Sequence, residues 1–167
     1  MAATDLTAER LRHVLHYDRA TGFFVWRVRT SNRIKVGSVA GAPHNAGYVQ
    51  IYIDGENHLA HRLAWLYVHG TWPENQIDHR NGIRSDNRFD NLRDTTPAMN
   101  MENLRRASTR NKTCGLLGAS WSKKDRVWTA HITIAGKSTY IGAFSTAEAA
   151  HEAYKVAKRI NHDGCTI

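Results

Sequence analysis

Four residues in the middle of the chain have the types and spacing to do chemistry together. Asp78 and His79 are adjacent, Asn91 follows His79 by twelve residues, and Asn100 follows Asn91 by nine. A histidine exchanges a proton near neutral pH, so His79 is a candidate general base. Asp78 offers hard carboxylate oxygens suited to Mg²⁺ or Mn²⁺, and Asn100 adds an amide oxygen. An ion held by so few protein oxygens keeps positions open for water and phosphate. It would also steady a leaving group and the charge that develops on it. Activated water, charge neutralisation and help for a departing oxygen are what phosphodiester hydrolysis requires. Asn91 lies across on the return side, placed to hold the backbone or the ring around His79.

These side chains need a scaffold of strand, loop, strand and helix. Residues 76–79 read as a short strand and residues 80–89 as a loop. Leu92, Arg93 and Asp94 form a second short strand. Thr96 is an N-cap with Pro97 at the first helical position, and the helix runs to about residue 106. Side chains alternate along a strand, so Asp78 and His79 serve one site only if the strand ends or twists between them. The Asn81-Gly82 turn just beyond provides for that. Upstream, Thr7 caps a short helix carrying Leu11, Val14 and Leu15 at helical spacing. A strand follows over residues 23–28, then loops over 31–36 and 37–47. Val49, Ile51 and Ile53 alternate along a strand, Asp54-Gly55 makes a two-residue hairpin turn, and residues 57–60 return. A helix over 61–68 turns Leu63, Leu66 and Tyr67 inward and stops at Gly70 and Pro73. His61 and Arg62 at its start either pack and cap or touch nucleic acid.

Composition narrows the partner. A net charge of +8 and a pI near 9.8 favour a polyanion, with nucleic acid ahead of a membrane. The two cysteines, Cys114 and Cys165, have no C-x-x-C spacing, which argues against a zinc finger and a disulfide framework. The N-terminus lacks a signal-peptide pattern, and no apolar run approaches the ~20 residues that span a bilayer. The expected partner is double-stranded DNA, with no membrane, in the cytoplasm.

After the 108–116 linker the pattern restarts. Strands are expected over 117–121, 127–134 and 138–141, then a helix from 147 to about 160 capped by Ser145 or Thr146. The expected organisation is an N-terminal α+β portion with a hairpin (1–60), a hydrolytic core (61–107), the linker, and a second small domain (117–162).

The order Asp78-His79, Asn91, Asn100 resembles the HNH endonucleases of the ββα-metal (His-Me finger) fold, in the variant whose third signature residue is Asn. The flanking runs 77–82 (IDHRNG) and 86–93 (DNRFDNLR), and His61-Arg62-Leu63-Ala64-Trp65 upstream, are similar to phage and intron-encoded members. The resemblance implies an α+β fold, with His79 as general base and Asn91 orienting it and bracing the loop. Asp78 and Asn100 would hold one Mg²⁺ or Mn²⁺ ion per site, with Asn103 a weaker alternative. Arg80, Arg84 and Arg88 would touch DNA. The products would carry 5′-phosphate and 3′-hydroxyl ends, and no structural zinc is expected.

Residues 112–160 resemble the plant Apetala-two/ethylene-response-factor DNA-binding domain, through the runs 118–121 (GASW), 128–132 (WTAHI) and 140–150 (YIGAFSTAEAA) and Ala153-Tyr154. In that family a three-stranded antiparallel sheet enters the major groove and a helix packs behind it. Here Lys123, Lys124, Arg126 and Lys137 suit phosphates, Trp128 and Tyr140 suit sugars, and His131 and Thr133 suit base edges. The whole resembles a free-standing phage homing endonuclease, monomeric or weakly dimeric, acting in an infected bacterial host. The alternative is a non-catalytic DNA-binding regulator that retains the nuclease shape.

Overall fold

The computed structural model describes residues 6–96, 99, 114–162 and 165. It is a mixed α/β structure of several small antiparallel sheets, with three α-helices among the described residues. Its contacts divide the chain into two compact units, residues 1–96 and 97–167.

The first unit starts with helix α1 (Ala8–Val14), where the Thr7 hydroxyl accepts a hydrogen bond from the Arg10 amide. Leu15, expected on that helix, instead opens strand β1 (Leu15–Tyr17). β1 pairs with β2 (Phe24–Trp26), which pairs with β3 (Val39–Ala40). The 37–47 segment is therefore not all loop, because β4 (Ala42–Pro43) also falls within it. Gly41 separates β3 from β4 at φ +113°, a conformation that L side chains rarely adopt. β4 pairs with β5 (Val49–Ile53) and β5 with β6 (Glu56–Leu59). The β5–β6 turn has φ 50° at Asp54 and 95° at Gly55, as a tight hairpin requires.

Helix α2 (Ala60–His69) ends at Gly70, which adopts φ 82° in the left-handed region. Strands β7 (Gln76–His79) and β8 (Leu92–Thr95) then form a two-stranded antiparallel ribbon. One hydrophobic core draws on α1, β1, β2, β3, β5, α2 and the β7–β8 ribbon. Leu11, Val14 and Phe24 from before residue 60 share it with Leu63, Leu66, Ile77 and Leu92 from after it.

In the second unit β9 (Ala119–Ser122), β10 (Val127–Ile134) and β11 (Lys137–Phe144) form an antiparallel sheet with β10 central. Helix α3 (Ala147–Asn161) packs on it, with the Thr146 hydroxyl accepting from the Ala149 amide. Small side chains let helix and sheet approach closely. Ala119, Ala130 and Ala150 form the buried centre, and Cys114 and Leu116 from the end of the expected linker pack against it. The helix expected to run from Pro97 to about residue 106 lies outside the described residues, apart from Met99. No helix of the described residues is long and apolar enough to cross a membrane.

Candidate active site

The β7–β8 ribbon carries the expected pair. Cross-strand register sets Asp78 opposite Arg93 and His79 opposite Leu92. The pairing is unbroken through both, so the strand does not end between them as expected but at His79, and the two neighbours leave its last two rungs on opposite faces. Both are buried, at 8% and 4% exposure.

On one face, Arg93 donates to Asp78 Oδ2 through Nε at 3.0 Å and Nη2 at 2.7 Å. Asp78 is chemically apt for a hard cation, but Arg93 already neutralises one of its oxygens. The second expected ligand, Asn100, and the alternative Asn103 lie outside the described residues. Among the described residues no three His, Cys, Asp or Glu side chains cluster as a metal site. A site of one carboxylate and amide oxygens would not form such a cluster. Asp78 is thus the described part of the donor set, and it fits.

On the other face His79 lies against Asn87, His61 and Tyr48. Its Nε2 lies 3.3 Å from Asn87 Oδ1. The His61 ring stands nearly perpendicular to it, with centroids 5.1 Å apart and planes at 82°. Tyr48 lies 6.0 Å from His79 and 5.0 Å from His61. Burial lowers the His79 pKa, opposed by the Asn87 hydrogen bond and by the Asp78 and Asp86 charges. Burial pulls His61 down to about 3, with the His79 and Arg62 charges acting the same way. Both rings are therefore neutral at physiological pH, the state a proton acceptor needs.

Asn91 contacts the backbone beside His79, one of the two placements its spacing allowed. Its Oδ1 accepts from the Asn81 amide at 2.9 Å and its Nδ2 donates to the Asp86 carbonyl at 2.7 Å. Its own carbonyl accepts from the Arg80 amide at 2.8 Å. It braces the 80–88 loop, while the amide on the His79 ring belongs to Asn87. Sequence gave one usable signal for Asn87: a second Asn, four residues before Asn91, in a loop dense with turn formers.

Arg80, Arg84 and Arg88 are all exposed, and Arg84 and Arg88 are engaged by named neighbours. Arg88 donates to Asp86 through Nε at 2.8 Å and Nη2 at 2.5 Å, and this contact brings the Asp86 pKa down to about 2. Arg84 donates to the Ala46 carbonyl at 2.9 Å and lies over the Tyr48 ring.

In the second unit Lys123, Lys124, Arg126 and Lys137 are exposed. His131 and Tyr140 are cross-strand partners with rings 5.3 Å apart on the solvent face, which Thr133 shares. Trp128 is not with them. It pairs with Trp121 across the ladder and packs half-buried on the alanine core. It lies two positions before Ala130 and four before Ile132, both buried, so the period of two assigns it to their face.

A family model described as HNH endonuclease matches residues 58–102, a span that includes His61, both ribbon strands and the loop between them. Protein 3.8 of Escherichia phage T7 is 33% identical over 91 residues, covering 54% of this chain and 71% of that protein. The chain belongs to the family of Protein 3.8 and carries an HNH endonuclease domain. No solved structure matches it. The ribbon, its loop and the buried pair of histidines all lie within the matched span.

Proposed function

We propose that the chain is a divalent-metal-dependent DNA endonuclease that hydrolyses phosphodiester bonds to 5′-phosphate and 3′-hydroxyl ends. The observation that carries this reading is His79: a buried imidazole at the end of β7, next to Asp78 in sequence, within the HNH-matched span. In this reading His79 accepts the proton of the attacking water. Asp78 and Asn100 would hold Mg²⁺ or Mn²⁺, which supplies charge stabilisation at the phosphate and the leaving oxygen. Asn91 keeps the 80–88 loop in the shape that presents His79. Arg80 and Arg84 would meet the DNA backbone.

We assign the second unit to DNA binding, in the manner its Apetala-two-like sequence implies. The exposed His131, Thr133 and Tyr140 would face the groove, and Lys123, Lys124, Arg126 and Lys137 the phosphates. A single hydrolytic centre with few base contacts discriminates poorly between sequences, so this unit would set where the enzyme cuts.

The ion pair on Asp78 favours one second reading, a DNA-binding regulator whose carboxylate is committed to Arg93. One assay separates the two. Phage genomic DNA is incubated with wild type or His79→Ala, in Mg²⁺, Mn²⁺ or EDTA. Discrete metal-dependent fragments or mapped nicks, lost in His79→Ala, are the expected result. Intact DNA in every lane together with tight binding would establish the regulator.

A further inference from the structure

The contact on the His79 ring connects to a part of the chain that the HNH match leaves out. Asn87 is buried at 4% exposure, and its side-chain oxygen faces His79 Nε2. Its main-chain carbonyl accepts a 2.6 Å hydrogen bond from the Tyr17 hydroxyl, seventy residues earlier in the sequence. Tyr17 is itself buried at 3% exposure and stacks on Phe24 with centroids 4.7 Å apart. Burial raises the phenol's pKa, so it stays protonated and able to donate.

The turn between β1 and β2 closes on the same loop at two further points. The Arg19 carbonyl accepts from the Phe89 amide at 3.0 Å. Gly22, at φ +76°, leaves no space for a side chain: a Cβ there would fall 2.4 Å from the Asn87 carbonyl carbon and the Arg88 nitrogen. Backbone is packed directly on backbone, the closest approach that residue types permit. A buried hydroxyl, a glycine and a main-chain hydrogen bond thus converge on residues 87–89.

We propose that Asn87 is a positioning residue for His79, and that the β1–β2 hairpin, through Tyr17 and Gly22, holds Asn87 in place. An amide oxygen can only accept, so it fixes the proton of His79 on Nε2 and leaves the lone pair on Nδ1. The ring is then held in orientation and tautomer together. This inference rests on the nuclease reading for its kinetic consequence, but its tautomer consequence stands without it.

Two measurements on the full chain test it. The first is single-turnover cleavage of phage genomic DNA with Mg²⁺, alongside filter binding of the same DNA in EDTA. Asn87→Ala should slow cleavage by about tenfold or more while leaving the binding constant within about twofold. Asn87→Asp, which keeps an acceptor, should recover most of the rate. Tyr17→Phe, which removes one oxygen remote from the ring, should slow cleavage several-fold in protein whose circular dichroism shows it folded. Wild-type rates in Asn87→Ala would overturn the proposal. So would a loss in either variant that only tracks the folded fraction.

The second measurement is ¹⁵N correlation of the histidine rings in DNA-free protein at neutral pH. His79 should show the Nε2–H tautomer in wild type with an Nε2 signal shifted by its hydrogen bond, and that shift should be lost in Asn87→Ala; an Nε2 signal that is the same in both proteins would overturn the proposal. An Nδ1–H tautomer in wild type would overturn the proposal whatever the enzyme does to DNA. An Nε2–H signal that depends on Asn87, in a wild type that leaves DNA intact, would uphold the positioning and sink the nuclease reading alone.

Discussion

Arg93 lies directly across the ribbon from Asp78 and binds a single carboxylate oxygen with two of its nitrogens, at 2.7 and 3.0 Å. Both side chains are nearly enclosed, with 12% and 9% of their surface exposed. Removing one partner of a buried pair leaves the other charge desolvated, which typically costs about 3–5 kcal/mol. Arg93→Ala should therefore lower the urea midpoint markedly in EDTA. If Asp78 holds the metal, Mg²⁺ should restore more stability to Arg93→Ala than to wild type, since the ion replaces the lost cation. Equal Mg²⁺ responses in the two proteins would remove Asp78 from the ligand set.

His61 gives the fold a pH dependence of known sign. Histidine in an unfolded chain protonates near pH 6.5, whereas burial holds folded His61 near 3. As pH falls the unfolded state takes up the proton first, so stability is complete above about 6.5 and declines down to about 3. The lowered His79 acts in the same direction. Between pH 7.5 and 5, wild type should lose about 2 kcal/mol more than His61→Phe. Urea unfolding at the two pH values reads this difference, and parallel losses would show that His61 titrates normally. His61→Phe should also gain stability at pH 7.5, because His61 Nδ1 is buried without a hydrogen-bond partner.

Gly22→Ala tests the backbone approach to the 87–88 peptide. The substitution meets both an unfavourable φ and two backbone atoms at 2.4 Å. Strain of this kind costs about 1–3 kcal/mol before any clash is counted. The thermal midpoint should fall by roughly 5 °C or more. Gly37→Ala has the same handicap of φ with open space around it, so it should fall by less.

For the second unit, Lys124→Ala and Lys137→Ala should each reduce the slope of log K against log salt by about 1, and weaken binding equally on unrelated duplexes. His131→Ala should instead narrow the gap between preferred and unrelated duplexes. Filter binding across a salt series distinguishes phosphate contact from base readout. Trp128→Phe, acting on the core-side face, should change stability and leave the salt slope alone.

The parts of the fold legible in sequence were those with strong local chemistry. Asp54-Gly55 specified its hairpin because both residues tolerate positive φ. β10 announced itself by a run of β-branched and aromatic residues, Thr7 marked the start of α1, and the Ser145-Thr146 pair marked that of α3, where Thr146 is the cap. β1, β3 and β4 carried no readable period, since two or three residues cannot show alternation and their pairing is decided by the core. At the site, spacing brought Asp78, His79 and Asn91 to one ribbon and its loop, but spacing does not say which atom of which amide faces a ring. Asn87 took that contact because the loop turns it inward, while Asn91 is used up by the Asn81 amide and the Asp86 carbonyl. His61 was visible as a residue and not as a neighbour of His79, because α2 and the ribbon meet only in three dimensions.

The single core that joins Leu11 and Phe24 to Leu63 and Leu92 bears on how such a domain can be moved between proteins. A segment cut at the edges of residues 58–102 would carry Asp78, His79 and Asn91 and leave behind Tyr17, Gly22 and the apolar surface that the ribbon leans on. Grafting that segment alone onto another scaffold would transfer the signature without its support. For this chain the smallest portable unit of the ribbon begins at α1.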